Sequence, residues 1–397
     1  MGLVRPGSGL GWFWRVLMSS KMRRYVFVAL VVLVAALAPS PASATDNKSL
    51  VASGFNSPRG IVFFQGQLLV AEAGVRGPYC NHKPPPDTLC IGNSGRISKV
   101  NIATGAHTSL ISGLFSGVEN HGGPDEALGP EGLSVSGGRV LNILGLYPEL
   151  IDEIHCAPGD TGCAHTVALA RAQAGHLISV GADGSLRSVA SVGHFGYEWT
   201  ANKLPQEHDS NPYGVLAAKD GTYVTDAGAN TLEFVNKRGR ISVVAYFGLR
   251  YNGFPSDEVP NCIARTDDAL WVGTLAGHLF RIDEDGATQV AAPLLRHVTG
   301  CTSDKHGNIY LVNMWTNLGP PGPASVFGGN IVKFKTDSGA SSVVTGGLDF
   351  PNMVTIGPDG NLYVTADSIC PATNSYPFCP NGGTVWKVRL PSENNQN

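Results

Sequence analysis

Short apolar runs separated by turn residues fill the chain, and the pattern is clearest between residues 209 and 245. Four such runs lie here, at 214–217, 223–225, 232–235 and 241–245. Runs rich in valine, tyrosine and threonine at this close spacing are typical of antiparallel strands rather than helices. A four-stranded sheet of this size cannot bury both of its faces alone, so the pattern predicts further copies along the chain.

The same order of strands and turns opens at six places, five of them marked by a proline. The openings lie at Pro58, Pro130, Pro212, Pro260, Val298 and Pro351. The shortest step, 38 residues from Pro260 to Val298, is about the length of one four-stranded blade, and the longer steps fit blades with insertions. The sequence therefore predicts an all-β fold, a six-bladed β-propeller in which an N-terminal strand at 48–54 closes the last blade.

The predicted propeller occupies residues 45–391, followed by a tail at 392–397. The expected blades cover 55–113, 114–193, 194–247, 248–294, 295–347 and 348–391. A single propeller can fill this length, although about 350 residues would otherwise suggest two or three domains. The high glycine content, 50 residues in 397, fits a chain with many tight turns.

The first 44 residues have the features of an export signal rather than of the fold. A basic segment at 21–24 precedes an apolar run at 25–38, and Ala42-Ser43-Ala44 forms a small-residue cleavage site. Met22 gives a more typical signal peptide than Met1. The apolar run is short for a membrane span, and an uncleaved anchor is the alternative. We therefore expect a secreted, extracytoplasmic protein with no membrane association after signal cleavage.

Charge and motif content exclude several classes of function. The net charge is −3 and the chain after the signal has no basic run, so we expect no nucleic-acid partner. Motifs of serine hydrolases, zinc proteases and nucleotide-binding loops are absent from the sequence. Nothing in the sequence indicates association with further copies, and we expect a monomer.

All eight cysteines follow the signal, and an even number in an exported chain indicates disulfides. Three pairs are close enough in sequence to close one loop each: Cys80–Cys90, Cys156–Cys163 and Cys370–Cys379. The remaining two, Cys262 and Cys301, fall on the first strands of the fourth and fifth blades. Neighbouring inner strands can bring them within bonding reach.

The long connections of the predicted blades all lie on one side of the disc. Tight turns join first to second and third to fourth strands, whereas the other connections carry the insertions. These insertions cover 75–93, 113–129, 146–174, 193–210, 247–258, 316–328 and 368–382. Insertions without a functional role would be distributed over both sides of the disc. We call the side that carries these insertions the long-loop face, and it is the predicted functional surface. Strong helix formers at 164–173 predict a helical lid over it.

Several segments resemble the ScyD/ScyE family of NHL-type propellers. They are SGFNSPRGIVF at 53–63, LLVAEAG at 68–74, the Cys80 to Cys90 segment leading to SGRISKV at 94–100, DSNPYGVLA and DAGAN within 209–230, and GPDGNLYVT at 357–365. The resemblance spans roughly residues 50–390. It implies the propeller fold and an exported location, and it carries no general reaction.

The chain is also similar, more distantly, to the calcium-dependent propeller hydrolases of the gluconolactonase and paraoxonase type. In those proteins Glu, Asn and Asp from inner-strand starts hold a metal at the axial tunnel. The equivalent positions here, which we call the axial ring, are Arg59, Glu131, Tyr213, Asn261, Thr299 and Asn352. The resemblance implies that Glu131, Asn261 and Asn352 hold Ca²⁺ or Mg²⁺, which prefer oxygen ligands. Arg59 beside Glu131, and the missing Asp, favour the alternative of a structural polar plug.

Other candidates lie near the same face. His121, and His208 beside Asp209, are candidate general bases, with solvated or turn-capping roles as the alternative. Asp226 and Glu72 end second strands and can widen an acidic, ligand-binding pocket together with Arg59 and Tyr213, or simply cap the chain reversal. Two aromatic residues of the long loops, Trp199 and Trp315, suit sugar or aromatic ligands, or pack the loops themselves.

Two functions of different classes follow. The first is an exported module that binds a small molecule, glycan or protein on the long-loop face around the axial tunnel mouth. The second is a divalent-metal-dependent hydrolase, lactonase or lyase with its metal at that mouth. The fold alone does not choose between them, because propellers host both.

Overall fold

The computed structural model describes residues 47–84, 87–120, 125–203, 206–248, 250–251, 255–316, 328–372 and 379–391. Six antiparallel sheets, each with four principal strands, are arranged as the blades of a propeller, which confirms the predicted fold class. The signal segment and the tail at 392–397 lie outside the described residues, as does His121.

The N-terminal strand β1 (Lys48–Phe55) pairs with the last strand of the chain, as predicted for the closing strand. The first blade follows with β2 (Pro58–Phe64), β3 (Gln67–Glu72), β4 (Tyr79–Cys80), β5 (Thr88–Val100), β6 (His107–Asn120) and β7 (Glu126–Leu128). The second blade contains β8 (Pro130–Ser136), β9 (Arg139–Leu144), β10 (His176–Val180) and β11 (Leu186–Ser191).

Three helices belong to the second blade and its exit. They are α1 (Pro148–Ile151), α2 (Thr161–Gln173) and α3 (Val192–Thr200). The third blade contains β12 (Pro212–Ala218), β13 (Gly221–Asp226), β14 (Thr231–Asn236) and β15 (Ile241–Tyr246). A small hairpin of β16 (Arg250–Tyr251) and β17 (Pro255–Ser256) follows.

The fourth blade contains β18 (Pro260–Arg265), β19 (Leu270–Thr274), β20 (Leu279–Asp283) and β21 (Gly286–Val290). The fifth contains β22 (Val298–Ser303), β23 (Asn308–Asn313), β24 (Gly328–Lys335) and β25 (Ser341–Asp349). The sixth contains β26 (Val354–Ile356), β27 (Leu362–Ala366) and β28 (Gly383–Val388), and β1 completes it.

Burial follows the position of each strand in its blade. The central strand β23 is buried at every residue because neighbouring blades cover both of its faces. The outermost strand β15 instead alternates between more and less exposed residues, since one of its faces meets solvent. The hydrophobic cores accordingly lie between successive blades, as in the cluster that joins Leu232 and Phe247 of the third blade to Val272 and Phe280 of the fourth.

Glycines let the inner strands pack closely around the axis. A Cβ at Gly60 would lie 2.5 Å from the carbonyl oxygen of Glu131, and one at Gly214 would lie 2.6 Å from that of Asn261. Glycine follows the ring residue at these openings because the neighbouring inner strand occupies the space of a side chain. In the fourth blade the same position holds Cys262, which instead bonds to the next blade.

The four disulfides are Cys80–Cys90, Cys156–Cys163, Cys262–Cys301 and Cys370–Cys379. All four predicted pairings are therefore confirmed, and no free cysteine remains. Three of the bonds close single loops, and the fourth ties the fourth blade to the fifth next to the axis.

Three segments predicted as loops contain ordered elements. Much of 75–93 and 113–129 is strand, because β5 and β6 run on past the disc and pair with each other and with β4 and β7. The segment 193–210, expected as a loop, begins with the helix α3. The helix predicted at 164–173 is confirmed as the larger part of α2.

Candidate functional site

The six ring residues lie where the inner strands begin and are all buried. Their exposures range from 0 to 7 % of the reference area. Each is followed by residues that line a small axial cavity, among them Leu133, Val215, Ile263 and Val354. The sequence repeat thus places one buried polar side chain per blade next to a small axial cavity.

Two side-chain contacts close the ring. The Nε atom of Arg59 lies 3.4 Å from Oε2 of Glu131, and Nη2 of Arg59 donates to the carbonyl oxygen of Ala127 at 2.5 Å. From the opposite pair of blades, Nδ2 of Asn352 donates to the hydroxyl of Tyr213 at 2.6 Å. Four of the six ring side chains therefore contact one another in pairs, whereas Asn261 and Thr299 donate to backbone carbonyls.

Burial controls the protonation of this group. It raises the pKa of Glu131 to about 7, although the Arg59 guanidinium opposes the shift. It also raises the pKa of the Tyr213 phenol to about 12. Glu131 consequently gains its negative charge only near neutral pH, whereas Tyr213 stays neutral.

Two features of the ring decide whether its oxygens can bind a divalent ion: the free oxygen donors and the position of Arg59. Oε2 of Glu131 and Oδ1 of Asn352 are buried and have no hydrogen-bond partner, so oxygen donors are available. The single carboxylate already faces the Arg59 guanidinium, and a dication bound to it would lie within a few ångströms of that positive charge. The ring in this arrangement does not fit a resident Ca²⁺ or Mg²⁺ ion.

Glu72 and Asp226 occupy equivalent ends of the second strands and are fully buried. Glu72 accepts hydrogen bonds from Arg96, Ser98 and the backbone nitrogen of Asn56. Asp226 accepts from the hydroxyl of Ser210 and from the backbone nitrogens of Asn211 and Ala229. These bonds fix the chain reversals beside the long-loop face, which is the capping alternative considered for both residues.

His208 and Asp209 adopt opposite environments despite being neighbours. The exposed His208 ring stacks on Tyr197 at 3.6 Å, and Tyr197 in turn stacks on Tyr147 at 4.6 Å. Asp209 is buried, and burial together with the Glu119 and Asp226 carboxylates raises its pKa to about 8. A carboxyl with this pKa is a candidate functional group because it holds its proton at neutral pH.

A second carboxyl lies next to this group. Burial and the carboxylate of Asp257 raise the pKa of Glu207 to about 7, and one oxygen of Glu207 is buried without a hydrogen-bond partner. Within the described part of the chain, neither Glu207 nor Asp209 forms an ion pair. Two carboxyl groups with raised pKa values therefore lie here, and among the described residues no base is paired with either of them.

The acidic group and the ring are linked through one glycine. Oδ1 of Asn211, two residues after Asp209, accepts from the backbone nitrogen of Leu146 at 3.0 Å. A Cβ at Gly145 would lie 3.0 Å from that same oxygen and 3.5 Å from Oε1 of Glu131. The long-loop face and the axis are thus parts of one packed region.

The two tryptophans lie at separate places on the long-loop face. The half-buried Trp199 packs edge-on against Tyr246, and the amino group of Lys203 lies 4.4 Å from its ring. Trp315 packs against His297 with ring centres 4.7 Å apart, and its Nε1 atom is buried without a partner. The structure does not bring either residue to the ring.

Sequence reasoning missed α3 and the residues it positions. The buried side of this helix is formed by Val192, Gly193, Gly196 and Thr200, so small residues rather than a leucine stripe mark the packed face. A Cβ at Gly196 would lie 2.7 Å from the hydroxyl of Ser210. The spacing of these small residues was the available signal, since three and four positions separate residues on one helix face.

Comparisons with known proteins support the fold. No family model matches the chain, and no curated protein matches it. A solved structure of a Bacteroides thetaiotaomicron protein of unknown function aligns with a TM-score of 0.51 and 11 % identity, covering 86 % of this chain and 74 % of that one. This similarity shows a shared fold and carries no activity to this chain.

Two further solved structures align with this chain at lower TM-scores. The calcium-binding protein regucalcin from Agrobacterium tumefaciens aligns with a TM-score of 0.47 and 13 % identity, covering 87 % of this chain and 92 % of that one. A gluconolactonase from Xanthomonas campestris aligns with a TM-score of 0.42 and 12 % identity, covering 86 % and 98 %. The resemblance to the ScyD/ScyE family stays a prediction.

The four disulfides indicate a protein of an oxidising, extracytoplasmic compartment. In the part of the chain that the structure covers, every helix is too short or too polar to cross a membrane.

Proposed function

We propose that this protein is an exported β-propeller that binds a small ligand or a partner on its long-loop face, and that the axial ring is a structural plug beneath that surface. The observation that carries the proposal is that the connecting segments are long on one face of the propeller and short on the other. In the part of the chain that the structure describes, all three helices and the three local disulfides belong to the connections of one face. The opposite connections, such as 65–66 and 219–220, are tight turns.

The chemistry of the face favours a ligand with a positively charged group. Asp209 and Glu207 are carboxyl groups without an ion-pair partner in the described residues, and burial makes each of them harder to ionise. A bound ammonium group would supply the missing charge. The adjacent stack of Tyr147, Tyr197 and His208 offers ring faces that attract cations and pack against apolar groups.

The alternative function, metal-dependent hydrolysis or lyase chemistry at the ring, lacks support from the ring itself. Arg59 occupies the position next to the only ring carboxylate. Nδ2 of Asn261 donates to the backbone carbonyl of Val298 at 3.4 Å, and Nδ2 of Asn352 donates to Tyr213. Only the oxygens of these two amides could face an ion, which would lie beside the Arg59 guanidinium. We therefore assign no reaction step to a metal at this position.

The proposal is tested with two phenols of similar size but opposite charge. Tyramine carries an ammonium group and 3-(4-hydroxyphenyl)propionate carries a carboxylate, so a thermal-shift titration isolates the effect of charge. We expect tyramine to raise the melting temperature of the protein and the propionate to have no effect. The rise should disappear in Tyr197→Ala and Asp209→Asn, and it should persist in Asp220→Asn, a change in an exposed turn of the opposite face.

Hydrogen exchange locates the bound compound independently of the variants. Tyramine should slow amide exchange in α3 and in 206–211, and should leave the turns at 65–66 and 219–220 unchanged. Protection confined to the tight-turn face, or equal shifts by both compounds, would contradict the proposal.

A further inference from the structure

Two helices of the long-loop face bring one histidine and two glutamates together. Glu149 lies on α1, whereas His194 and Glu198 lie on α3. One ligand atom from each of the three, an imidazole nitrogen and two carboxylate oxygens, lies within 4.8 Å of the other two. The His194 Nδ1 atom directly contacts Oε1 of Glu149.

The fold holds these side chains at fixed places. His194 and Glu198 are one helical turn apart, so they project from the same face of α3. The start of α3 packs closely against the loop before α1, because a Cβ at Gly193 would lie 2.5 Å from the carbonyl oxygen of Leu146. The backbone nitrogen of Gly193 also donates to the carbonyl oxygen of Gly175 at 2.8 Å.

The aromatic stack adds a second tie between the two helices. Tyr147 immediately precedes α1, Tyr197 belongs to α3, and their rings stack at 4.6 Å. Glu149 and Glu198 follow these two tyrosines closely in sequence. The donors from the two helices are therefore held together by packing that does not involve the donors themselves.

The electrostatics of the three residues favour a cation. Oε2 of Glu149 is buried and has no hydrogen-bond partner. Among the described residues, His194 is the only base that pairs with Glu149, and Glu198 has no ion pair at all. Excess negative charge thus surrounds the imidazole.

We propose that Glu149, His194 and Glu198 form a binding site for a divalent transition metal of the zinc class. One imidazole nitrogen and two carboxylate oxygens suit zinc rather than calcium or magnesium, which prefer oxygen ligands alone. The metal takes the place between His194 Nδ1 and Glu149. Tetrahedral zinc needs donors about 3.4 Å apart, and the three donor atoms already lie within 4.8 Å of one another on exposed or half-buried side chains.

Three protein ligands leave one coordination position open towards solvent, because the three side chains are only partly buried. That position takes water or an oxygen of a ligand on the long-loop face. The metal also links α1 to α3 across the face. This site is separate from the axial ring, and it stands whether or not the face binds an organic cation.

Metal binding to protein without an affinity tag, after removal of metals with a chelator, tests the site. Calorimetric titration with Zn²⁺ should give one equivalent bound, and Co²⁺ should give the visible absorption bands of a tetrahedral site. His194→Ala and Glu198→Gln should each weaken Zn²⁺ binding at least about tenfold. His165→Ala removes an exposed histidine of α2 outside the cluster and should change nothing.

The variants are readily interpreted because His194 and Glu198 are exposed, and their metal-free melting temperatures should match that of the parent protein. Absence of stoichiometric Zn²⁺ binding would overturn the assignment. Equal affinity in His194→Ala and the parent would overturn it as well, and so would an equal loss in His165→Ala. An unchanged Zn²⁺ affinity in Glu131→Gln would support a metal site distinct from the axial ring. A loss of Zn²⁺ affinity in Glu131→Gln would show that the site is not distinct from the ring.

Discussion

The amide of Asn352 donates a hydrogen bond to the hydroxyl of Tyr213 at 2.6 Å, although the two residues are 139 positions apart. Tyr213 opens the third blade and Asn352 precedes the first strand of the sixth, so this bond joins opposite sides of the propeller. Both residues are buried, and the bond lies beside the Arg59–Glu131 pair of the first two blades. Four of the six blades thus meet through side chains at the axis.

Removing the hydroxyl in Tyr213→Phe should lower the free energy of unfolding by about 1–3 kcal/mol, because the buried Asn352 amide loses its partner. Urea denaturation measures the change. Tyr223→Phe is the matched control, since the half-buried Tyr223 ring makes ring contacts but no hydroxyl hydrogen bond in the described structure. Equal stability of Tyr213→Phe and the parent would show that the bond across the axis contributes nothing.

The environment of Asp209 predicts a dependence on pH. The pKa of Asp209 is about 8 in the folded protein, against the ordinary aspartate value of 3.8 that applies to the unfolded chain. The folded state therefore binds the proton more tightly than the unfolded state does. The resulting stability is present below about pH 4 and is lost as the pH rises through about 8.

Asp209→Asn cannot ionise, and it should therefore gain stability relative to the parent between about pH 4 and 8, by at least about 1 kcal/mol at the upper end. Denaturant titrations of both proteins at several pH values measure the difference. The exposed Asp220→Asn should show no such trend. Parallel curves for Asp209→Asn and the parent would contradict the assigned burial of the carboxyl.

The close packing of the inner strands is tested at Gly214. A Cβ there would lie 2.6 Å from the carbonyl oxygen of Asn261, so Gly214→Ala must displace the neighbouring blade. We expect a loss of at least about 2 kcal/mol in the free energy of unfolding. Gly346→Ala, where the added Cβ meets nothing within 4 Å, should be neutral or slightly stabilising. Similar values for the two variants would show that the blades do not meet as described.

The disulfide between the fourth and fifth blades should contribute more to the free energy of unfolding than a disulfide within one loop. Cys262 and Cys301 are 39 residues apart, whereas Cys156 and Cys163 are 7 apart. Loop-closure entropy then predicts losses of about 4 kcal/mol for the double alanine variant at 262 and 301, against about 2.5 kcal/mol at 156 and 163. Melting temperatures of the two variants compare the losses, and the reverse order would contradict this account.

Much of the fold was predictable because strands and turns repeat with the period of a blade. The six ring positions, including Glu131 and Tyr213, follow from alignment of the repeats, and the disulfides follow from their spacing. The partners of the ring side chains were not all predictable. The Arg59–Glu131 pair joins neighbouring blades and was considered as an alternative, but the Tyr213–Asn352 bond depends on the length and rotamer of a tyrosine that crosses the axis.

The long-loop face was predicted in position but not in detail. The greater length of its connections could be recognised in the sequence, because the connections of the other face are tight turns. The helix α3 was missed because Gly193 and Gly196, ordinarily unfavourable in helices, are required here for close contact with Leu146 and Ser210. The burial of Asp209 among other carboxyl groups likewise arises from segments distant in sequence, such as Glu119 and Asp226.

The central claim is that the axial ring is a polar plug and that binding occurs on the face above it. The most direct test is the melting temperature of His194→Ala, which lacks the proposed zinc site, in about 5 mM calcium and in chelator. We predict that the melting temperature is the same in calcium and in chelator, both for His194→Ala and for the double variant that also carries Glu131→Gln. A calcium-dependent rise that Glu131→Gln abolishes would contradict the account and place a metal centre in the ring.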